Sequence, residues 1–509
     1  MVQISPERNA RDVSSAQPVH IRFDRPVNPR SVATRFHLTP SVKGQIRWPS
    51  DRELVFEHQP LRPATSYQVV LDSGYQDKQG TVNSLRHSWS FTTEAPPSLT
   101  GSSPGSGDQG VDPASYLSLS FSREMNVGSL AGSISVSPSL RFSLREDPSE
   151  PRRVILAPEQ LLDPNVSYTV TVTQDARDVD GNQLRAGSVV TFTTGQLRSL
   201  KHWVGFIAEP TTGVGGDGVW IVDENRFPRR VVTAPVDQFA WSQDATHLLL
   251  RSPAGGWSDQ PLNGTASILP FHAEWADFLA GGRGYAYLEQ GSLKVLSANG
   301  AVLDVASDVS QAAVAPNGTR LAFAVKGRPG SEIYGYDVDL RARYRLQVES
   351  GPVDQLAWSP DGQALAYRLQ ADDPQKSQIR ARQLSGAART LTVATGDVSG
   401  PAWQADSRHL VFRAKVAAAG GSLDKAFRLA VGDPPPRSLS AGQGLPSSSD
   451  LSVQQVSLSA DGHQIAFLAD FQGRPAVWLM NADGTGVTRL SAFDPAAGYS
   501  TRALAWTPT

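Results

Sequence analysis

The chain has 509 residues, with 47 Lys and Arg against 49 Asp and Glu, and its formal net charge of −2 supplies no positive field for phosphate backbones or anionic lipid. Nucleic acid is therefore not an expected partner. The absence of cysteine removes disulfides, thiolate metal ligands and Cys nucleophiles together. The 44 Gly and 36 Pro, with short apolar runs rich in Val, Leu, Phe and Trp, make an all-β composition spread over two to four domains.

No apolar run approaches the roughly 18 residues of a membrane span. The opening MVQISPERNARDV has neither a basic n-region nor an apolar h-region and enters a strand pattern almost at once. Any leader or membrane anchor is expected to lie outside this sequence.

The first two hundred residues contain a long repeat. Val19 to Val27 (VHIRFDRPV) matches Leu117 to Met125 (LSLSFSREM), and Phe36 to Pro40 matches Ile134 to Pro138. Glu53 to Glu57 pairs with Val154 to Pro158, and Leu61 to Leu71 (LRPATSYQVVL) with Leu162 to Val172 (LDPNVSYTVTV). Both copies close in Phe-Thr-Thr, at Phe91 and Phe192. Apolar and polar residues alternate within each run, and Pro, Gly and Asn separate the runs, which predicts half-buried strands in two-sheet sandwiches over 1–95 and 96–197. On these motifs the copies resemble the bacterial Ig-like domains of S-layer and cell-surface proteins of the SbsA type. That resemblance implies an extracytoplasmic spacer without catalytic residues.

From residue 198 a different repeat takes over. WSPDG at Trp358 to Gly362 recurs as WSQDA from Trp241, APNG from Ala315, WQADS from Trp403 and SADG from Ser459. A repeat of roughly 40 residues is the length of a four-stranded blade, which must stack on neighbours to bury its faces. The motif resembles TolB-like and WD-like bacterial β-propeller repeats. Anchors at Trp241, Trp275, Val314, Trp358, Trp403, Leu458 and Trp506 predict seven blades over 198–509, with six the alternative because TolB-like propellers commonly have six. The last run, Tyr499 to Thr507, is expected to complete a blade with Trp203 to Ala208, Val219 to Asp223 and Arg230 to Thr233, removing an exposed edge. Pro fixes φ in the turn, Asp caps it and Gly takes positive φ, so Asp361 and Asp461 are expected to be structural.

Three apparent motifs reduce to structure on their context. Gly213 to Gly218 matches GxGxxG, but a strand, Val219 to Val222, follows where a phosphate loop needs a helix. Gly101 to Gly105 matches GxSxG without the strand and helix that a nucleophile at Ser103 requires. Asp175, Asp178 and Asp180, with Asn182, concentrate oxygen ligands as a Ca²⁺ loop does, but no Glu follows at the calcium-loop spacing, which favours a turn over a cation site. The nine histidines form no HExxH and no close pair. No cofactor is expected, Ca²⁺ being the weak exception.

Loops at one end of a propeller can present side chains from every blade. The residues placed near such a channel mouth are Asp237, Gln238, His272, Gln311, Asp354, Gln355, Gln454 and Arg502. The leading expectation is a non-enzymatic, extracytoplasmic binding or scaffold protein of the cell surface or periplasm. In it, the sandwiches form a stalk and the propeller engages a protein or polysaccharide of the envelope. The alternatives are a propeller-borne hydrolase or lyase acting on surface polymers, for which Asp237, Asp354 and His272 are the nearest candidates, and a structural envelope component. Prolyl oligopeptidase-type chemistry is not expected, because no residues of this sequence remain for its α/β-hydrolase domain.

Overall fold

The computed structural model describes residues 3–197, 200, 202–210, 216–223, 228–262, 264–327, 330–385, 388–418, 421–432, 437–438, 452–471, 474–490 and 499–508. It divides into two compact units, residues 1–158 with 162–195, and residues 159–161 with 196–509. No helix among the described residues is long and apolar enough to cross a membrane.

The first unit contains two sandwiches of identical plan. In the first, strands Gln3–Ser5, Val19–Arg22, Glu53–His58 and Gly44–Ser50 form one sheet, and Phe36–Thr39, Ser66–Leu71 and His87–Thr92 the other. In the second, Leu99–Ser103, Leu117–Phe121, Glu150–Pro158 and Phe142–Asp147 repeat the four-stranded order, with Ile134–Ser137, Ser167–Val172 and Ser188–Thr193 opposite. Alternate residues of each strand point into a separate core. One is built on Val19, Ile21, Leu54, Val69 and Phe91, the other on Leu117, Leu119, Leu156, Val170 and Phe192.

The motifs shared by the copies have a physical reason. Tyr67 stacks on Phe91 at 5.8 Å and its hydroxyl accepts from the Arg62 N–H at 2.9 Å. Tyr168 does the same with Phe192 at 5.7 Å and the Asp163 N–H at 3.0 Å. The last Thr of each Phe-Thr-Thr run completes the corner. Thr93 Oγ1 accepts from the Thr65 N–H and donates to the Arg62 carbonyl, as Thr194 does with Val166 and Asp163. Part-buried backbone groups at the turn before each Tyr strand are thereby satisfied.

The Asp178–Asn182 loop does structural work between the copies. Asp178 Oδ1 accepts from the N–H groups of Asp180 and Asn182, and Asn182 Nδ2 donates to Glu94 Oε1 at 2.7 Å. Glu94, only 2% exposed, also accepts from the Ser15 N–H at 3.2 Å and pairs with Arg123 at 2.5 Å. Ser14 Oγ donates to Asp180 Oδ1 at 2.7 Å. Burial holds the Glu94 carboxyl above the ordinary carboxylate range, and the nearby Asp180 charge adds to this.

In the second unit, seven four-stranded antiparallel sheets are formed among the described residues, none closed on itself. The first strands of the second to seventh sheets are Gln238–Trp241, Trp275–Leu279, Val309–Val314, Val353–Trp358, Val398–Trp403 and Ser452–Leu458. The first sheet draws on both ends of the unit, in the order Arg229–Arg230, Gly218–Val222, Val204–Pro210 and Tyr499–Trp506. Val204 faces Trp506 and Ala208 faces Thr501. Each first strand touches that of the next sheet, and Tyr499–Trp506 touches both Ser452–Leu458 and Gln238–Trp241.

The repeat's residues explain this stacking. Trp358 donates its Nε1–H to the Ala313 carbonyl at 3.2 Å, Trp403 to Ala357 at 3.1 Å, and Trp241 to Ala505 at 3.4 Å. Each acceptor immediately precedes the corresponding residue of the preceding sheet, so Trp241 joins the last strand by the same bond that joins consecutive sheets. The turns are capped alike. Ser359 Oγ donates to Asp361 Oδ1 at 2.6 Å and accepts from the Ala364 N–H at 2.8 Å, and Ser459 repeats this with Asp461 and Gln464. Gly362 and Gly462 occupy φ of +67° and +75°, and the substituted copies place Ala245 and Ser407 at +53°.

One anchor needs correction. Trp275 opens its strand, opposite Leu288, whereas Leu279 opposite Gly284 closes the hairpin as Trp241 and Trp358 do theirs. The turn after Leu279 is Ala280 to Arg283, with Gly281 and Gly282 at φ of +64° and +68°. A prominent Trp within the run displaced the expected register, and the short Gly-Gly turn hid the true one.

Candidate functional site

The inner strands of the second unit have two ends. At their starting ends stand the residues expected at a channel mouth, of which Asp237, Arg502, Gln311 and Gln355 make bonds between sheets and Asp354 bonds within its own. Asp237 Oδ2 pairs with Arg251 at 3.2 Å and its Oδ1 with Arg502 at 3.3 Å. Arg502 also pairs with Glu209 and donates to the Val236 carbonyl at 2.9 Å. The Asp354 carboxylate receives Arg368 Nε at 2.8 Å and Gln370 Nε2 at 2.5 Å. Gln311 Oε1 accepts from the Gln355 N–H at 3.1 Å, and Gln355 Oε1 from the Gly400 N–H at 2.7 Å.

The remaining expected residues are placed differently. Gln238 and Gln454 are exposed on their strands. His272 is exposed and gives its backbone N–H to Glu289, but Glu274 holds the place in the third sheet that Asp237 holds in the second. Each donates its N–H to the second strand, to Leu288 and Arg251 respectively. Phe271, adjacent to His272, is buried and stacked on Tyr287 at 4.2 Å.

The residues that complete this end were missed, although the sequence carries their signal. Leu248 to Arg251, Leu365 to Arg368 and Leu410 to Arg413 place an arginine fifth in the second strand of three sheets. Two of them meet Asp237 and Asp354. Before the third, Ser399 stands where those carboxylates stand, and Arg413 donates to the Val453 carbonyl at 3.4 Å. Burial lowers the pKa of Arg413, partly offset by Asp424, with Arg368 adding like-charge repulsion.

At the opposite end, by the turns, a groove of about 970 Å³ runs between the second and third sheets. His247 Nδ1 lies 2.7 Å from Asp259 Oδ1, and the Tyr285 hydroxyl donates to Asp259 Oδ2 at 2.6 Å. Burial first, and the bond to Asp259 second, push the Tyr285 hydroxyl far above its ordinary range, so it remains a donor. Phe278 lies 5.7 Å from Tyr285, and His247 meets Phe278 edge-on at 6.4 Å.

One carboxyl was not anticipated. Asp277 stands two residues before Leu279, where the other sheets carry Phe239, Ala312, Leu356, Pro401, Val456 and Leu504. Burial in this apolar layer raises its pKa to about 7, opposed only by the Phe278 N–H.

The cation candidates Asp175, Asp178 and Asp180 do not form a ligand cage. Asp175 is exposed, and Asp178 and Asp180 serve the loop and junction described above. Among the described residues no group of three or more His, Asp or Glu side chains is placed to hold a metal ion. Ser103 ends an edge strand of the second sandwich, Leu99–Ser103, which corrects the expectation that no strand precedes it; no helix follows it. In the GxGxxG run, residues 213–215 lie outside the described residues, and Gly218 opens a strand.

The fold defines an all-β protein with two sandwiches and a propeller-like array of sheets. Residues 1–93 and 94–194 each match the family model of the bacterial Ig-like domain, so the chain carries two such domains in tandem. No curated protein matches the chain in sequence. Among solved structures, TolB from Acinetobacter baumannii is similar at 14% identity, covering 74% of this chain and 83% of that one, with a TM-score of 0.38. A putative TolB from Agrobacterium tumefaciens gives 17% identity, 62% and 100% coverage and a TM-score of 0.37. An oligogalacturonate lyase from Vibrio parahaemolyticus gives 9%, 57%, 86% and 0.40. No ligand or reaction passes to this chain from likenesses of that size.

Proposed function

We propose that the chain is a non-enzymatic binding or scaffold protein of the bacterial envelope, outside the cytoplasm, divided as 1–95, 96–197 and 198–509. The seven sheets are read as the blades of one closed propeller, sealed where Tyr499–Trp506 pairs with Val204–Pro210. The circuit of contacts between first strands, and the shared Trp-to-carbonyl bond, support this reading. The tandem Ig-like domains support an envelope location and a spacer role.

The observation that carries the binding role is the repeated arginine at the starting ends of the sheets. Arg251, Arg368 and Arg413 bring guanidinium groups to one end of the array, and Asp237 and Asp354 answer only two of them within their own sheets. Planar donors beside carboxylates suit a partner rich in hydroxyl and carboxylate oxygens, which an envelope protein or polysaccharide supplies. The test is capture of envelope proteins and polysaccharides by the whole chain and by its Arg413→Ala variant. Specific capture that falls at least tenfold in the variant is expected; equal capture, or none by the unaltered chain, contradicts the reading.

A further inference from the structure

The repeat accounts for the position of the groove between the second and third sheets. At the junctions made by Trp241, Trp358 and Trp403 the indole reaches the preceding sheet's first strand. The third sheet has Leu279 at that place, as the fourth and seventh have Val314 and Leu458, but of these three it alone has a short turn, Ala-Gly-Gly-Arg, instead of the longer Ser-Pro-Asp-Gly form. Both changes remove atoms. A Cβ added at Gly282 would meet nothing within 4 Å. The space lies open where the repeat would otherwise put a ring.

Its walls are preorganised. The hydrogen bonds of Asp259 to His247 and Tyr285 fix all three side chains in one row, so little rotamer freedom is lost when a ligand enters. At the rim, Asp244 Oδ1 accepts from Ser242 Oγ, Thr246 Oγ1 and the Thr246 N–H. Its Oδ2 holds no hydrogen bond among the described residues. The lining has two carboxylates, Asp244 and Asp259, and no Lys or Arg. Arg283, in the same turn, is directed to Asp339 at 3.2 Å and the Ala280 carbonyl at 3.0 Å.

Charge and shape select the ligand class. A phosphate, sulfate or carboxylate group would face two like charges with no Lys or Arg in the lining to offset them. An organic cation would gain the Asp244 carboxylate and the ring faces of Phe278 and Tyr285, which attract positive charge through their quadrupoles. We propose that this groove is a binding site for an organic cation, an ammonium or guanidinium group on a sugar or aliphatic stem, with Asp244 as its counter-charge and Phe278 and Tyr285 as its platform. The site stands at the opposite end of the strands from the arginine-bearing end and does not depend on the function assigned there.

Calorimetric titration of the whole chain tests it. The probes are glucosamine and Nα-acetyl-lysine amide, which carry the cation on a sugar and on a peptide-like stem, with N-acetylglucosamine and Nα,Nε-diacetyl-lysine amide as uncharged counterparts. At least one cation binds, its counterpart binds at least tenfold more weakly, and the tighter cation identifies the source. Asp244→Asn weakens binding about tenfold, the size of one lost charge-assisted contact. Leu279→Trp, which restores the repeat's ring, abolishes binding, and Phe278→Leu, which keeps the wall apolar but removes a ring face, weakens it at least fivefold in a protein of unchanged melting behaviour. Arg413→Ala leaves it unchanged, which separates this site from the other end. Absence of binding by both cations, equal binding of the uncharged counterparts, or undiminished binding to a folded Leu279→Trp protein overturns the proposal.

Discussion

The two repeats of this chain are stabilised in opposite ways. In the sandwich unit each copy owns a complete apolar core, and a small polar junction around Glu94 and Asn182 joins the copies. In the sheet unit no copy is complete. Phe323 packs with the third and fourth sheets, Trp358 with the fourth and fifth, Trp403 with the fifth and sixth, and Phe206 with the first and seventh. A sheet that shares both faces cannot be lost alone, whereas a sandwich with its own core can. The two sandwiches can therefore unfold separately, whereas the second unit must fold as a whole.

The largest expected effect follows from that contrast. Deleting residues 499–509 leaves the first sheet with three strands and deprives Trp241 of its carbonyl. Calorimetry should then show the second unit's transition abolished, with the sandwich transition kept. A retained transition would mean that the sheets are independent. Next is Trp358→Ala, which removes a wedge between two sheets and should cost about 3–5 kcal/mol in denaturant titration; Trp358→Phe, which removes chiefly the bond to Ala313, should cost about 1 kcal/mol.

Asp277 gives the sheet unit a pH signature of its own. Its folded pKa, about 7, lies above the ordinary carboxylate value, so the native state keeps a proton that the unfolded chain releases. Its stabilising contribution is complete below the ordinary carboxylate range, is lost as pH rises to about 7, and is flat beyond. The slope should approach about 1.4 kcal/mol per pH unit and vanish in Asp277→Asn.

At the sandwich junction Asn182→Ala leaves Glu94 Oε1 short of a buried donor and should cost about 1–3 kcal/mol, while both cores persist. Separation of the two sandwich transitions would show it. The smallest effect is Ala245→Gly, which relieves a left-handed φ of +53° and should raise the melting temperature by a degree or two, for about 0.5–1 kcal/mol.

Much of the architecture was legible because its motifs do local work. The spaced Tyr and Phe-Thr-Thr runs mark a corner in which Tyr67 and Thr93 satisfy neighbouring backbone groups, and Ser-Pro-Asp-Gly writes its own turn. Less of the site was legible. Trp275 outweighed Leu279 because an aromatic is the stronger sequence signal, and the groove exists through what Leu279 and Gly282 lack. The clamp role of Asp178 to Asn182 depends on Glu94 from the preceding copy, a meeting that local spacing does not encode. The arginine repeat was readable in the strands, but its meaning emerges only when Asp237 and Asp354 are seen opposite.

The pairing of the final strand with the segment after the second sandwich bears most directly on the account. The chain has no cysteine, so Ala208→Cys with Thr501→Cys, which face each other across that pairing, places two thiols without competitors. Oxidation of the native double variant should give an intramolecular disulfide in nearly every molecule, seen as a reduction-sensitive mobility shift. Thiols that stay free in the native protein, or that bridge only separate molecules, would contradict the proposed closure of the array of sheets.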